Sequence, residues 1–201
     1  MAASKKTHLW SRPPIPESGD TDEADVYRAV GEALSRWERL EEQLAMLFIA
    51  FIGAGQDTDA ARRAYGAILK TSDRREMMLA AAVAHFHEHP NPGLENDFKK
   101  IINTIGDASG RRNDIAHGIV RPYGMYFVVP EGRSETFLLF PSFASTKSTK
   151  LATPFILPDY AYTSEQITKF GIGFMNFIPE VFRVGREILR RAQQRPSQRP
   201  D

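Results

Sequence analysis

Residues 94–119, LENDFKKIINTIGDASGRRNDIAHGI, place apolar side chains at Leu94, Phe98, Ile101, Ile105, Ala108, Ile115 and Ile119. These positions fall on one stripe of a helix, because steps of three and four return to the same face. The stripe has one missing slot, between Ala108 and Ile115, and Arg112 occupies it. At roughly 100° per residue, Asn113 and His117 lie along one edge of that face, and the three residues span an arc of about 140°. The helix is thus expected to carry a polar trio, Arg112, Asn113 and His117, on its inward side.

Upstream of this helix the same period recurs. Val26, Val30, Leu34, Trp37, Leu40, Leu44, Leu47 and Phe51 form one apolar face, with Asp20, Asp22, Glu23 and Asp25 where carboxylates complement a helix dipole. Trp37 fits that face as core, and Gly53 and Gly55 supply the stop. A second helix is expected over DAARRAYGAILK (59–70). A third starts at Asp73, which can cap with Glu76, and ends before Pro90. Before all of these, RPPIPESG carries Pro13, Pro14 and Pro16 and reads as a flexible arm over 1–21.

Downstream the period changes to two. YGMYFVVP and ETFLLF, separated by EGRS, predict a β-hairpin at about 121–143, followed by a polar loop at 142–153. A last helical section starts at Thr163 with Gln166 three residues on, a capping box, and Pro179 is expected to kink or split it. The fold expected is mostly α, an up-and-down bundle of four to five helices with an inserted β-hairpin, forming a single domain over 22–193 with a basic tail at 194–201.

Composition sets outer bounds. A chain of 201 residues with 42% hydrophobic content can bury a real core, and a net charge of +1 gives no bulk attraction for nucleic acid. With no cysteine, disulfides, thiol catalysis and thiolate-ligated zinc are excluded. The first residues, MAASKKTHLW, lack the apolar run of a signal peptide, and LAMLFIAFIGAG is shorter than the roughly 20 residues of a membrane span. The expectation is a cytoplasmic protein with no membrane partner.

The trio's chemistry suits RNA. Arginine is always charged, and its forked donors match phosphate oxygens. Histidine titrates near neutrality and moves protons both ways. Asparagine can orient either or bond a substrate oxygen. A 2′-hydroxyl can then attack its adjacent phosphate while His117 moves a proton and Arg112 holds the developing charge, with no metal and no cofactor. Arg111, about 100° round the helix, would be a secondary phosphate contact. The plainer alternative stands beside this one: an arginine next to Asp114 can be a structural ion pair, and a single helical histidine can be packing or solvated.

At these residues the chain also resembles a known family. RRNDIAHG is similar to the signature of HEPN domains, an arginine four to six residues ahead of a histidine, with asparagine after the arginine and a small residue after the histidine. The long first helix with RWERLEEQLAMLF is similar too, so the resemblance covers roughly 22–120 and the closing helix; the hairpin departs from it. The resemblance implies a metal-independent endoribonuclease acting as a homodimer, with Arg112 and His117 catalytic, Asn113 beside them, and Arg111 and Asp114 supporting. It also admits a non-catalytic dimeric interaction module. RNA is the expected partner, and a cognate antitoxin protein would be a second one if the chain is a toxin rather than a phage-defence or housekeeping factor.

Other features have alternatives of their own. His85, His87 and His89 in HFHEH would share a face in a strand, as a metal site requires, but in the expected helix only His85 and His89 do, and Glu88 points elsewhere. Tyr123, Tyr126, Phe127 and Phe137 can stack bases or pack a core. Arg183, Arg186, Arg190, Arg191, Arg195 and Arg199 can contact RNA or lie over the helix end.

Overall fold

In the computed structural model, residues 8–53, 58–142 and 158–193 are described, and Gly55, Arg195, Arg199 and most of the loop expected at 142–153 lie outside them. The chain is mostly helical, with a two-stranded antiparallel sheet inserted before the last two helices. Among the described residues no helix is long and apolar enough to cross a membrane.

Helix α1 (Glu23–Ile52) follows its apolar period, and Gly53 stops it with φ +63°, a conformation that costs glycine little. Short α2 (Thr58–Ala67) precedes α3 (Thr71–Glu88). The latter starts two residues before the expected Asp73, with Lys70 at its cap and no side-chain capping bond. The amides of Asp73 and Arg74 both donate to the Lys70 carbonyl, so Asp73 is already inside the first turn. Helix α4 (Pro92–Ala116) opens with proline in its first turn, and the Asn91 side chain accepts the Leu94 amide at 3.4 Å.

The hairpin is shifted from its expected place. Strand β1 is Gly118–Pro122, β2 is Phe137–Pro141, and Tyr123–Met125 form a 3-10 turn rather than strand. Helix α4 therefore ends at Ala116, and Ile119 leaves the helical stripe for β1, where it is 40% exposed. Gly118 permits the switch: a Cβ there would sit 2.6 Å from Leu139 Cγ. Val120 lies opposite Leu139, and Arg121 opposite Leu138. The Leu138 and Phe140 side chains pack with Ala161 and are covered by Ile15, Tyr123, Tyr126 and Phe127.

The last section splits as expected. Helix α5 (Ser164–Met175) carries the capping box, with the Gln166 amide donating to Thr163 Oγ1 at 3.2 Å and the Thr163 amide to Gln166 Oε1 at 3.0 Å. Helix α6 (Ile178–Gln193) holds Pro179 in its first turn, where the missing amide costs nothing.

By packing, the described residues fall into two compact units, one drawn from Met1–Trp37 and Gly110–Phe174 and one from Glu38–Ser109 and Met175–Asp201. In the first, the described part of the expected flexible arm, from residue 8, packs against the rest of the unit. Trp10 is buried and stacks on Phe174 with ring centres 5.5 Å apart and planes 3° from parallel. Further along, the Asp20 amide and carbonyl pair with Phe137, and the Asp20 carboxylate takes the Ser164 amide and hydroxyl at the start of α5. Trp37, as expected core, meets Phe174 edge-on at 5.0 Å. Prolines at 13, 14 and 16 suit an extended course along a surface as well as a free chain. In the second unit, Phe51 meets Phe86 and Phe98 edge-on, and Glu41 is buried with Tyr65 and Arg74.

Candidate active site

Local sequence brings Arg111 to Ala116 onto the last turns of α4 with His117 just past its end, and the inward slot is filled differently than the helical period implies. Asp114 is the buried polar residue of this stretch, 9% exposed. Arg111 and Arg112 are half-buried, while Asn113 and His117 face solvent. The inward trio therefore opens outward at two of its three members. The reason is helical phase: Asn113 and His117 stand two residues either side of the buried Ile115, about 160° round the helix from it, so the packing that buries Ile115 turns both outward.

Arg112 donates from Nη1 to Asn113 Oδ1 at 3.1 Å, so the two side chains act as one donor surface. The His117 amide closes the last helical bond, to the Asn113 carbonyl at 3.0 Å, and the His117 carbonyl accepts the Ser142 amide at 3.3 Å. Main-chain bonds thus hold His117 on both sides while its imidazole stays exposed.

Asp114 and Arg111 do what the plainer reading allows. Asp114 accepts Arg12 Nη2 on Oδ1 at 2.9 Å and Arg12 Nε on Oδ2 at 3.1 Å. Its Oδ2 also takes the Tyr162 hydroxyl at 2.8 Å and lies 3.1 Å from Arg111 Nη1. Arg111 Nη1 donates to the Tyr162 oxygen at 3.0 Å. The hydrogen bond to Asp114 is the main reason the Arg12 guanidinium holds its proton more tightly than usual. Burial, then the Asp114 carboxylate, push the hydroxyls of Tyr160 and Tyr162 well above the ordinary tyrosine range. Both tyrosines are thus neutral donors at physiological pH.

Arg12, Tyr160 and Tyr162 belong to this neighbourhood and had no signal in the sequence. They lie 102, 46 and 48 residues from Asp114, beyond any local period.

The other candidates are placed as follows. His85 and His89 stand one turn apart on α3 with ring centres 4.9 Å apart, and His85 meets Phe51 edge-on. Among the described residues no group of three or more His, Asp or Glu is arranged to hold a metal. Tyr123, Tyr126 and Phe127 spend ring surface on the Leu138–Phe140 cluster. On α6, Arg183 pairs with Asp97 and Glu180, and Arg190 and Arg191 both grip Glu187, which holds its carboxyl down at about 2. Arg183 is thus offset by two carboxylates, while Arg190 and Arg191 share one. No family model matches the chain, and neither the curated proteins nor the solved structures contain a match to it.

Proposed function

We propose that the chain is a metal-independent endoribonuclease of HEPN type, acting on RNA as a homodimer. One observation carries the reading: an exposed His117 imidazole stands one turn from the linked Arg112–Asn113 pair, on a helix end anchored by Asp114. In the reaction the RNA 2′-oxygen bonds to the adjacent phosphorus as its proton leaves to one imidazole. The bond to the 5′-oxygen breaks as a proton arrives there from another. The products are a 2′,3′-cyclic phosphate and a 5′-hydroxyl. Arg112 offsets the charge that grows on the phosphate oxygens, and Asn113 holds the guanidinium toward them. One chain offers one such imidazole, so a second copy would supply the other proton-transfer group. DNA lacks the attacking hydroxyl and is not a substrate.

The test is cleavage of single-stranded RNA by the native chain and by His117→Ala. The variant should lose about 10²–10⁴-fold in rate, the usual contribution of a general acid or base, while staying folded. EDTA should leave the native rate unchanged, and the 3′ ends should be cyclic phosphates. Cleavage that survives His117→Ala, or that needs added metal, would falsify the assignment.

A second reading, the non-catalytic dimeric module, is favoured by Ile119, an apolar side chain 40% exposed two residues after His117. In that reading Asp114 is already bonded to Arg12 and Tyr162 within the chain, which leaves Arg112 as the more available of the two for a partner. The module predicts no cleavage at any stage, with Ile119→Asp and Arg112→Ala weakening assembly measured by light scattering.

A further inference from the structure

We infer that Arg12 is a positioning residue for the Arg112–His117 site, directing through Asp114 how the last turn of α4 presents Asn113 and His117. What is positioned rests on the ribonuclease reading; the clasp itself is a matter of geometry. Arg12 uses two nitrogens on the two Asp114 oxygens, at 2.9 and 3.1 Å, and its guanidinium lies 4.9 Å from the centre of the Tyr160 ring. A two-pronged bond of this kind accepts one orientation, whereas an apolar contact accepts many.

The same turn is held a second way, through its main chain. Helix α4 ends at Ala116, so the Asp114 carbonyl has no amide four residues on to accept within the helix. The Tyr160 hydroxyl fills that place at 2.9 Å. Tyr160 and Tyr162 stack with ring centres 4.9 Å apart, so the donor to the carbonyl and the donor to the carboxylate are one rigid pair. Asp114 is thus fixed in side chain and main chain alike. Asn113 and His117 lie about 100° behind and 60° beside it on the helix, and their directions follow from its own.

The segment that delivers Arg12 is itself held. Trp10 is buried against Phe170 and Phe174 two residues before it, and Ile15 packs on the Leu138–Phe140 cluster three residues after. At Gly19 a Cβ would stand 2.1 Å from the Phe137 carbonyl oxygen, so the strap seats tightly on β2. Arg12 therefore reaches Asp114 from a fixed base rather than from a swinging tail.

The experiment uses the full chain carrying Arg12→Ala, Arg12→Lys or, as a control, Val26→Ala, which opens the core of the same unit at a residue that is not part of the clasp. Arg12→Ala should speed amide hydrogen exchange over residues 113–118 by about tenfold or more, with α3 unchanged, because opening there no longer has to break the clasp. Its kcat on RNA should fall about 10²-fold, the usual effect of misplacing a reacting group by an ångström, while KM holds within a few-fold. Arg12→Lys can make one of the two bonds and should recover part of both losses. Val26→Ala should slow cleavage far less than Arg12→Ala at matched stability. Exchange over 113–118 unchanged in Arg12→Ala overturns the inference, as does a kcat loss in Val26→Ala equal to that in Arg12→Ala. A native chain that cleaves no RNA removes the ribonuclease reading alone, and the clasp is then decided by the exchange result.

Discussion

Gly173 and Trp10 fit each other by what the glycine lacks. A Cβ on Gly173 would stand 2.6 Å from Trp10 Cη2, and the Trp10 ring fills that space while stacked on Phe174. Two residues earlier, a Cβ on Gly171 would lie 3.2 Å from the Ala33 Cα, so the two glycines let α5 approach both the strap and α1.

This pairing predicts a coupled mutant cycle. Gly173→Ala should destabilise by about 1–3 kcal/mol through overpacking. Trp10→Ala should cost about 3–5 kcal/mol, the usual range for a buried aromatic. In the Trp10→Ala background the added methyl has nothing to strike, so Gly173→Ala should become neutral or slightly stabilising there. Urea unfolding of the four chains measures the coupling, and additive costs would show that the ring and the glycine do not meet.

At the proposed site, Arg112→Lys keeps the charge and removes the planar fork. Its cleavage rate should drop by about 10²–10³-fold, the range seen when one donor to a developing oxyanion is lost. Circular dichroism should remain native, because Arg112 sits half-buried at a helix end rather than in the core. A lysine variant as fast as the native chain would reduce Arg112 to a general positive charge.

Alkaline pH should unfold the protein through its tyrosines. Burial is the main cause that raises the hydroxyls of Tyr65, Tyr160 and Tyr162, and the carboxylates of Glu41 and Asp114 add to it. A raised native pKa means stability is full below the unfolded value, about 10, and is lost as pH climbs above it. There the unfolded chain has released protons that the native one keeps, which costs about 1.4 kcal/mol per pH unit for each tyrosine. Phenolate absorbance should therefore rise together with unfolding, and Tyr162→Phe should flatten the decline.

The second unit offers a comparable test at Glu41. This carboxylate is 5% exposed, and its Oε2 accepts Tyr65 at 3.0 Å and Arg74 at 3.0 Å. Arg74→Leu leaves the charge buried with one hydroxyl and should cost about 3–5 kcal/mol. Adding Glu41→Gln removes the stranded charge and should return a large part of that loss. A double variant no more stable than Arg74→Leu would mean that Glu41 is not the source of the penalty.

Local chemistry by itself determined the helices and several of their ends. The α1 stripe, the glycine stop at Gly53, the Thr163–Gln166 box and the break at Pro179 each depend on residues within a turn or two of one another. The same short range explains how the motif residues could be singled out before any fold was known. Tertiary structure decided which of them turn inward. A helix running on to Ile119 and a strand starting at Gly118 are equally compatible with the apolar spacing, and the close seat of Gly118 on Leu139 selects the strand. The packing that buries Asp114 and Ile115 turns Asn113 and His117 outward, and it leaves Asp114 to be satisfied by Arg12, Tyr160 and Tyr162 from distant parts of the chain. A proline-rich segment carries no period that distinguishes a free arm from a strap, because its extended backbone makes no local bonds; only the surface it lies on does.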